Sequence, residues 1–249
     1  MLTKAIIIPV GKSPVQVYRV LRSLQKSGNF GLLILAVSEQ TKSSGELIKG
    51  LIPSKDLNVE VINYNEINDT YADHNILSWN IFLGPGHTKM SLEILGQVIL
   101  LSNHYPYFWA YHKELTKKSN IKPRTEKIIC VNDNLTINFI NNVEKNIALK
   151  LYNIDDTLIS ELNGNLVWIN EIGKFSYTVK VSQEAIDFSK DERHKYENQI
   201  ATEVDKIQKI IGKHSMDIKI IDLPQNIQWP NLEDRLKHQF EFKGSRRLK

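Results

Sequence analysis

The sequence predicts a doubly wound α/β domain built on a parallel sheet, followed by a smaller α+β domain. Three observations carry this. The runs Lys4–Val10 and Leu32–Ser38 are short and almost wholly apolar, as strands buried on both faces are. Amphipathic stretches with helix start and stop signals lie between the strands. Beyond residue 122 this alternation gives way to strand pairs around turn sequences.

Each element follows in order. After the first strand, Ser13 stands as an N-cap with Pro14 at the first helical position. Val17, Val20, Leu21 and Leu24 then recur at helical spacing, opposite Arg19, Arg22 and Lys26, and Gly28 closes the helix. The second strand leads to a helix over Gly45–Ile52 and a third strand over Leu57–Asn63. Asn65–His74 is polar and reads as a short loop or helix. Ile76–Leu83 is the fourth strand, and the turn Gly84-Pro85-Gly86-His87-Thr88-Lys89-Met90-Ser91 follows at once. The helix over Met90–Ser102 is apolar almost all round, which predicts that it is largely buried. Tyr105–Tyr111 is the fifth strand, its aromatics read as core.

In open parallel sheets, ligands bind outside the carboxyl ends of the strands. Two turns therefore stand out, Gly11–Pro14 after the first strand and Gly84–Ser91 after the fourth. Small residues there let backbone N–H groups approach a phosphate, and a helix N-terminus adds favourable partial charge. Lys12 and Lys89 add full charges. A lysine at a helix start is electrostatically unfavourable without an anion, so Lys89 points to a ligand.

Composition sets the remaining bounds. With 41% hydrophobic and 24% charged residues, the chain has the make-up of a globular protein with a real core. No apolar run approaches the roughly 18 residues of a membrane helix. Met1–Lys4 runs straight into a strand, without a signal-peptide pattern, so a cytoplasmic location is expected. The single cysteine, Cys130, excludes an intrachain disulfide and a multi-cysteine zinc site, and its apolar neighbours predict an inert core thiol. His104 and His112 do not share a face at metal-ligand spacing and read as structural. Residues 1–122 hold 13 Lys and Arg against 9 Asp and Glu, so the whole net charge of +4 falls on them, as an anionic ligand favours.

Lys113–Pro123 is polar and charged and ends in proline, which places the domain boundary near residue 122: 1–122 and 123–249. In the second part Glu126–Val131 and Leu135–Ile140 flank the turn Asn132-Asp133-Asn134. Leu166–Asn170 and Phe175–Val181 flank Glu171–Lys174, where Gly173 can supply the positive φ a hairpin needs. A long helix is expected over Ser182–Gly212, a strand over Met216–Leu223, a short helix near Asn231–Phe240, and a basic tail from Lys243.

Three segments together resemble the CRISPR-associated Rossmann fold (CARF) family. Val10-Gly11-Lys12-Ser13-Pro14 resembles its Gly-x-Ser-Pro opening, and Leu35-Ala36-Val37-Ser38 with Thr41 its second strand. Leu83–Leu92 resembles its Gly-Gly-Thr-Lys-x-Met-Ser turn, although Pro85 and His87 interrupt the glycines and Met90 follows Lys89 directly. The resemblance covers about 110 residues, in order and at matching spacing. It implies a Rossmann-like sensor that binds cyclic oligoadenylate across the two-fold axis of a homodimer, in type III CRISPR antiviral defence. The implied ligand-binding residues are Gly11, Lys12, Ser13, Pro14, Ser38, Thr41, Gly84, Gly86, His87, Thr88, Lys89, Met90 and Ser91. Lys89 would pair with phosphate, Ser13 and Thr88 would donate hydroxyl hydrogen bonds, and His87 would contact ribose or base.

The chemistry of the second part stays open at this stage, and so do its metal dependence and catalytic residues. A HEPN ribonuclease needs an Arg-x4–6-His on a helix, which Arg193-His194 and Arg235–His238 do not supply. One cysteine excludes a zinc deaminase, and no compact three-helix unit suggests a winged helix. A metal-dependent nuclease needs clustered carboxylates and a lysine on adjacent strands. Asp155, Asp156, Glu161, Glu171 and Lys174 are available, but no Asp…Glu-x-Lys pattern falls on one strand. Three functions remain: an effector nuclease acting on RNA or DNA and activated by cyclic oligoadenylate, a ring nuclease that degrades it, or a non-enzymatic sensor that signals to a partner or to nucleic acid.

Overall fold

The structure, a computed structural model, describes residues 3–11, 13–53, 58–84, 88–102, 104–114, 125–160, 162, 164–170, 173–180, 202–207, 209–210 and 216–221. The chain divides into two compact units, Met1–Val143 and Glu144–Lys249.

Unit one is a seven-stranded sheet of order β3-β2-β1-β4-β5-β6-β7. Its parallel part comprises β1 (Thr3–Pro9), β2 (Leu32–Val37), β3 (Asn58–Asn63), β4 (Ile76–Leu83) and β5 (Tyr107–His112). Every residue of β2 is buried, as its unbroken apolar run requires. The helices α1 (Pro14–Ser27), α2 (Lys42–Gly50), α3 (Ile67–Tyr71) and α4 (Thr88–Leu101) connect the strands. Helix α1 buries Val17, Val20, Leu21 and Leu24, the stripe its spacing predicts. It ends at Gly28, left-handed at φ 67°, whose N–H donates to the Gln25 carbonyl at 3.1 Å.

Beside the apolar layer lies a buried polar bridge. The Asn80 amide on β4 donates to the Ala5 carbonyl at 3.0 Å and accepts from Trp109 Nε1 at 2.9 Å. Three neighbouring strands, β1, β4 and β5, are thereby pinned through one side chain. Cys130 is buried, and that burial pushes its thiol pKa up, as an inert core thiol requires.

Two expectations are corrected. The strand pair after residue 125 does not open a second domain. β6 (Lys127–Cys130) runs antiparallel to β5, and β7 (Thr136–Asn138) antiparallel to β6, so the hairpin completes the first sheet and the boundary moves to Val143. An unpaired β5 edge would expose a row of N–H and C=O groups, which the hairpin satisfies. Asn132 in its turn accepts from Phe108 N–H at 2.8 Å and donates to the Pro106 carbonyl at 3.1 Å. The Ile140 N–H donates to Ser23 Oγ at 2.8 Å, fastening the segment to α1.

Helix α4, expected to be largely buried, buries one face only. Met90, Ile94 and Val98 enter the core with Ile7, Ile34 and Ile81. Leu92 (63% exposed), Ile99 (49%) and Leu100 (77%) form an outer stripe. Within β5 and the residues before it, Trp109 is core while Tyr105 and Tyr107 are exposed.

Unit two has a three-stranded sheet of order β10-β9-β8. It contains α5 (Lys145–Leu151), α6 (Asp156–Ser160), β8 (Asn165–Ile169), β9 (Lys174–Lys180) and β10 (Met216–Ile221). The predicted β8–β9 hairpin forms, with Gly173 at φ 65° in its turn. β10 then pairs parallel to β9. Leu166, Trp168, Phe175 and Tyr177 are buried on one sheet face. Of the long helix expected over Ser182–Gly212, residues 202–207 and 209–210 are described and helical; the Asn231–Phe240 helix and the basic tail lie outside the described residues.

Candidate ligand-binding site

The strand order reverses direction between β1 and β4, which makes their carboxyl ends the topological switch point of the sheet. β1 and β4 are parallel neighbours paired as far as Ile7 and Ile81, so the turns that follow leave the sheet side by side. These are the two turns singled out in the sequence. Segments more than 70 residues apart are thus brought to one edge.

In the first turn Gly11 is half-buried and Ser13 is exposed. Ser13 is the N-cap of α1, yet its hydroxyl makes no capping hydrogen bond. Pro14 is buried at the start of α1 and orients the turn rather than facing solvent. Lys12 lies outside the described residues.

In the second turn Gly84 follows β4 directly, and a β-carbon there would collide with ring carbons of the buried Phe82. Gly86 and His87 lie outside the described residues, and Thr88 begins α4. Lys89 is exposed, with its ammonium 3.5 Å from Glu93 one helical turn on. Such an exposed pair contributes little to stability. Ser91 is half-buried in the first turn of α4, whereas Met90 points into the core and serves packing.

Ser38 and Thr41 form the turn between β2 and α2. The Ser38 N–H donates to Thr41 Oγ1 at 2.9 Å, and the Thr41 N–H donates to the Ser38 carbonyl at 3.0 Å. Thr41 therefore shapes this turn. Beside it lies a cavity of about 210 Å³ at the carboxyl ends of β2 and β3, lined by Ser38, Glu39, Asn63 and Glu66 among others. Sequence reading missed Glu39, Asn63 and Glu66. The available signal was their position just beyond or at the ends of predicted strands.

In unit two, Asp155 is exposed and accepts from the Thr157 N–H at 2.9 Å, which holds its carboxyl below the usual range. It caps α6. Glu161 and Glu171 lie outside the described residues. The strand β10 carries Asp217-Ile218-Lys219, an acid-x-Lys pair that sequence reading passed over. Its register sets Asp217 across from Ser176 and Lys219 across from Thr178. Among the described residues, no three His, Cys, Asp or Glu side chains are grouped to hold a metal ion. Among the same residues, no helix is long and apolar enough to cross a membrane.

No family of known sequences and no curated protein matches the chain. Among solved structures, it is similar to a type III CRISPR defence DNA nuclease activated by cyclic oligoadenylate. That likeness has a TM-score of 0.54 at 9% identity, over 95% of this chain and 40% of that one. The two share a fold. The chain thus spans about 40% of the length of that nuclease. It also aligns with Can2 from Sulfobacillus thermosulfidooxidans in complex with cyclic tetra-adenylate, at a TM-score of 0.45 and 6% identity, over 94% of this chain and 93% of that one. The shared fold is the Rossmann-like α/β arrangement that the sequence predicts, with its second, smaller sheet.

Proposed function

We propose that the chain is a cyclic oligoadenylate-sensing ancillary protein of type III CRISPR antiviral defence, acting in the cytoplasm as a homodimeric, ligand-activated effector nuclease. One observation carries the reading: the Gly11–Pro14 and Gly84–Ser91 turns leave neighbouring strands at the switch point of the sheet. Each turn opens a helix, so both offer backbone N–H groups and a favourable dipole to phosphate. Lys89 adds an exposed cation there. The fold shared with a cyclic oligoadenylate-activated nuclease supports the same ligand class.

The exposed stripe of α4 supports the homodimer. Leu92, Gly96, Ile99 and Leu100 recur on one helix face, and a β-carbon on Gly96 would meet nothing within 4 Å. Two copies of such a helix can pack closely at the glycine about a two-fold axis. That axis would pass beside the ligand edge, since α4 begins there, and would suit a ligand that is itself symmetric. The nuclease reading rests on the fold shared with a DNA nuclease activated by cyclic oligoadenylate.

The test incubates the protein with cyclic tetra- and hexa-adenylate and follows binding by calorimetry and the ring by mass spectrometry. RNA and DNA cleavage is then assayed with and without the ligand. Binding of an intact ring with ligand-dependent cleavage is the expected result. A cleaved ring would make the protein a ring nuclease, and absence of binding would overturn the oligoadenylate reading.

A further inference from the structure

Strand β4 carries one residue more than its pairing with β1 needs. Thr3 lies across from Ile76, but the next residue, Lys4, lies across from Ser78, so Leu77 is left over as a β-bulge. The core shows the consequence. Ile76 and Trp79 both pack against the apolar layer that holds Ala5, Ile7 and Ile94, although they are three residues apart. In an unbroken strand an odd spacing would send them to opposite faces. The bulge thus decides which face each later residue of β4 meets.

The apolar pattern of β4 does not hold this register by itself. Ile81 and Phe82 are both fully buried, one on each face of the sheet, so a slip by one residue exchanges one apolar side chain for another. Asn80 is different. In the bulged register it lies across from Ile6 and is 4% exposed. There its amide donates to the Ala5 carbonyl at 3.0 Å and accepts from Trp109 Nε1 at 2.9 Å. Continued without the bulge, the pairing of Thr3 with Ile76 would set Asn80 across from Ile7, on the apolar face of Ile7 and Ile94. A buried amide that loses its partners is costly, so this one side chain selects the bulged register.

We propose that Asn80 is a positioning residue for the ligand: by selecting the bulged register of β4, it sets the level and the direction in which the chain leaves the sheet toward Gly84–Ser91, beside Gly11–Pro14. The proposal rests on the oligoadenylate reading and adds to it what aligns the two turns. A slip by one residue displaces β4 along β1 by about 3.3 Å and turns its end to the other face. A binding constellation tolerates displacements of roughly 0.5 Å. Two turns out of step by a whole residue cannot serve one ligand together.

The experiment titrates the full chain with cyclic tetra- and hexa-adenylate by calorimetry. The proteins are wild type, Asn80→Leu, Trp109→Phe, a Leu77 deletion, and that deletion combined with Asn80→Leu. Cross-strand NMR contacts between β1 and β4 report the register of each. Asn80→Leu is expected to stay folded, to bring Ile7 across from position 80 instead of Ile81, and to bind the ring at least about tenfold more weakly, the equivalent of one charge-assisted hydrogen bond. Asn80→Met, unbranched and adaptable, should give the same result if the leucine variant does not fold. Trp109→Phe removes one hydrogen bond and keeps the Ala5 contact, so it should lower the unfolding temperature and leave ring affinity unchanged. Deleting Leu77 removes the bulge yet keeps Thr3 across from Ile76 and Lys4 across from Ser78, with every later face preserved. The deletion should therefore restore ring binding to Asn80→Leu, a rescue that a merely stabilising asparagine would not produce. Wild-type affinity in Asn80→Leu, or a loss that the deletion fails to restore, overturns the positioning role and leaves the oligoadenylate reading intact. A wild-type chain that binds neither ring overturns both.

Discussion

Gly84 and Lys89 stand five residues apart, and they serve the second turn in different ways. Gly84 is there because the buried ring of Phe82 leaves no room for a β-carbon. Gly84→Ala must displace either the ring or the turn, and is expected to cost about 2 kcal/mol, measured by urea denaturation. Lys89 has no packing role, so Lys89→Ala should leave that denaturation curve in place. It should instead weaken cyclic oligoadenylate binding about ten- to a hundredfold by calorimetry, as the loss of a charge-assisted hydrogen bond would. Unchanged affinity would remove the phosphate assignment. In unit two, Tyr177 donates to Glu203, both of them buried. Tyr177→Phe withdraws a donor from a buried carboxylate and should destabilise the chain by about 2 kcal/mol. Of these residues, Lys89 and Gly84 were singled out beforehand as candidate ligand contacts. The signal of Lys89 was local, a cation at a helix start. The Tyr177–Glu203 pair joins residues 26 positions apart, beyond any short sequence window; the clash at Gly84 is with a ring only two residues away, yet it depends on how the chain turns after β4.

At the scale of elements, α4 shows how composition and packing part company. Its sequence is apolar nearly all round, but a helix lying on a sheet can bury only the stripe that faces it. The outer stripe is proposed to pack against a second copy. Leu100→Asp, on that outer stripe, should convert a dimer into a monomer in analytical ultracentrifugation without unfolding the protein. A wild-type chain that sediments as a monomer with and without ligand would rule out a ligand shared between two copies. The β6–β7 hairpin makes the complementary point. Its turn residues Asn132, Asp133 and Asn134 were readable, as was the pairing of its two strands. That β5 would be its partner was not, because the pairing joins Trp109 to Cys130 across a polar segment that resembles a linker. A fragment of residues 1–143 should fold cooperatively, whereas 1–122 should aggregate through its bare β5 edge, as size-exclusion chromatography would show.

For the molecule as a whole, three tyrosine–glutamate pairs predict its response to alkali. Tyr71 donates to Glu60, Tyr111 to Glu126 at 2.9 Å, and Tyr177 to Glu203. Burial, reinforced by the adjacent carboxylate, raises each phenol's pKa above its usual 10.0. In the unfolded chain these phenols ionise near 10.0, while in the folded one they remain protonated. Their contribution to stability is thus complete below pH 10.0 and is lost as pH rises above it toward the raised values. Urea denaturation on either side of that pH should show the decline, and Tyr71→Phe should flatten it. By itself, the sequence determined the strand–helix alternation, the five parallel strands and the two strand-to-helix turns proposed to meet a ligand. It did so because strand burial, helix capping and glycine-rich turns are all set by residues close together along the chain. Tertiary structure alone decided that β1 lies beside β4, so that the two turns follow neighbouring strands, and that Glu39 and Asn63 share a cavity. It also decided which face of α4 is covered and where the first unit ends. Those outcomes depend on which distant strands pair, and pairing satisfies backbone groups that are alike in every residue and so leave no mark on side-chain pattern.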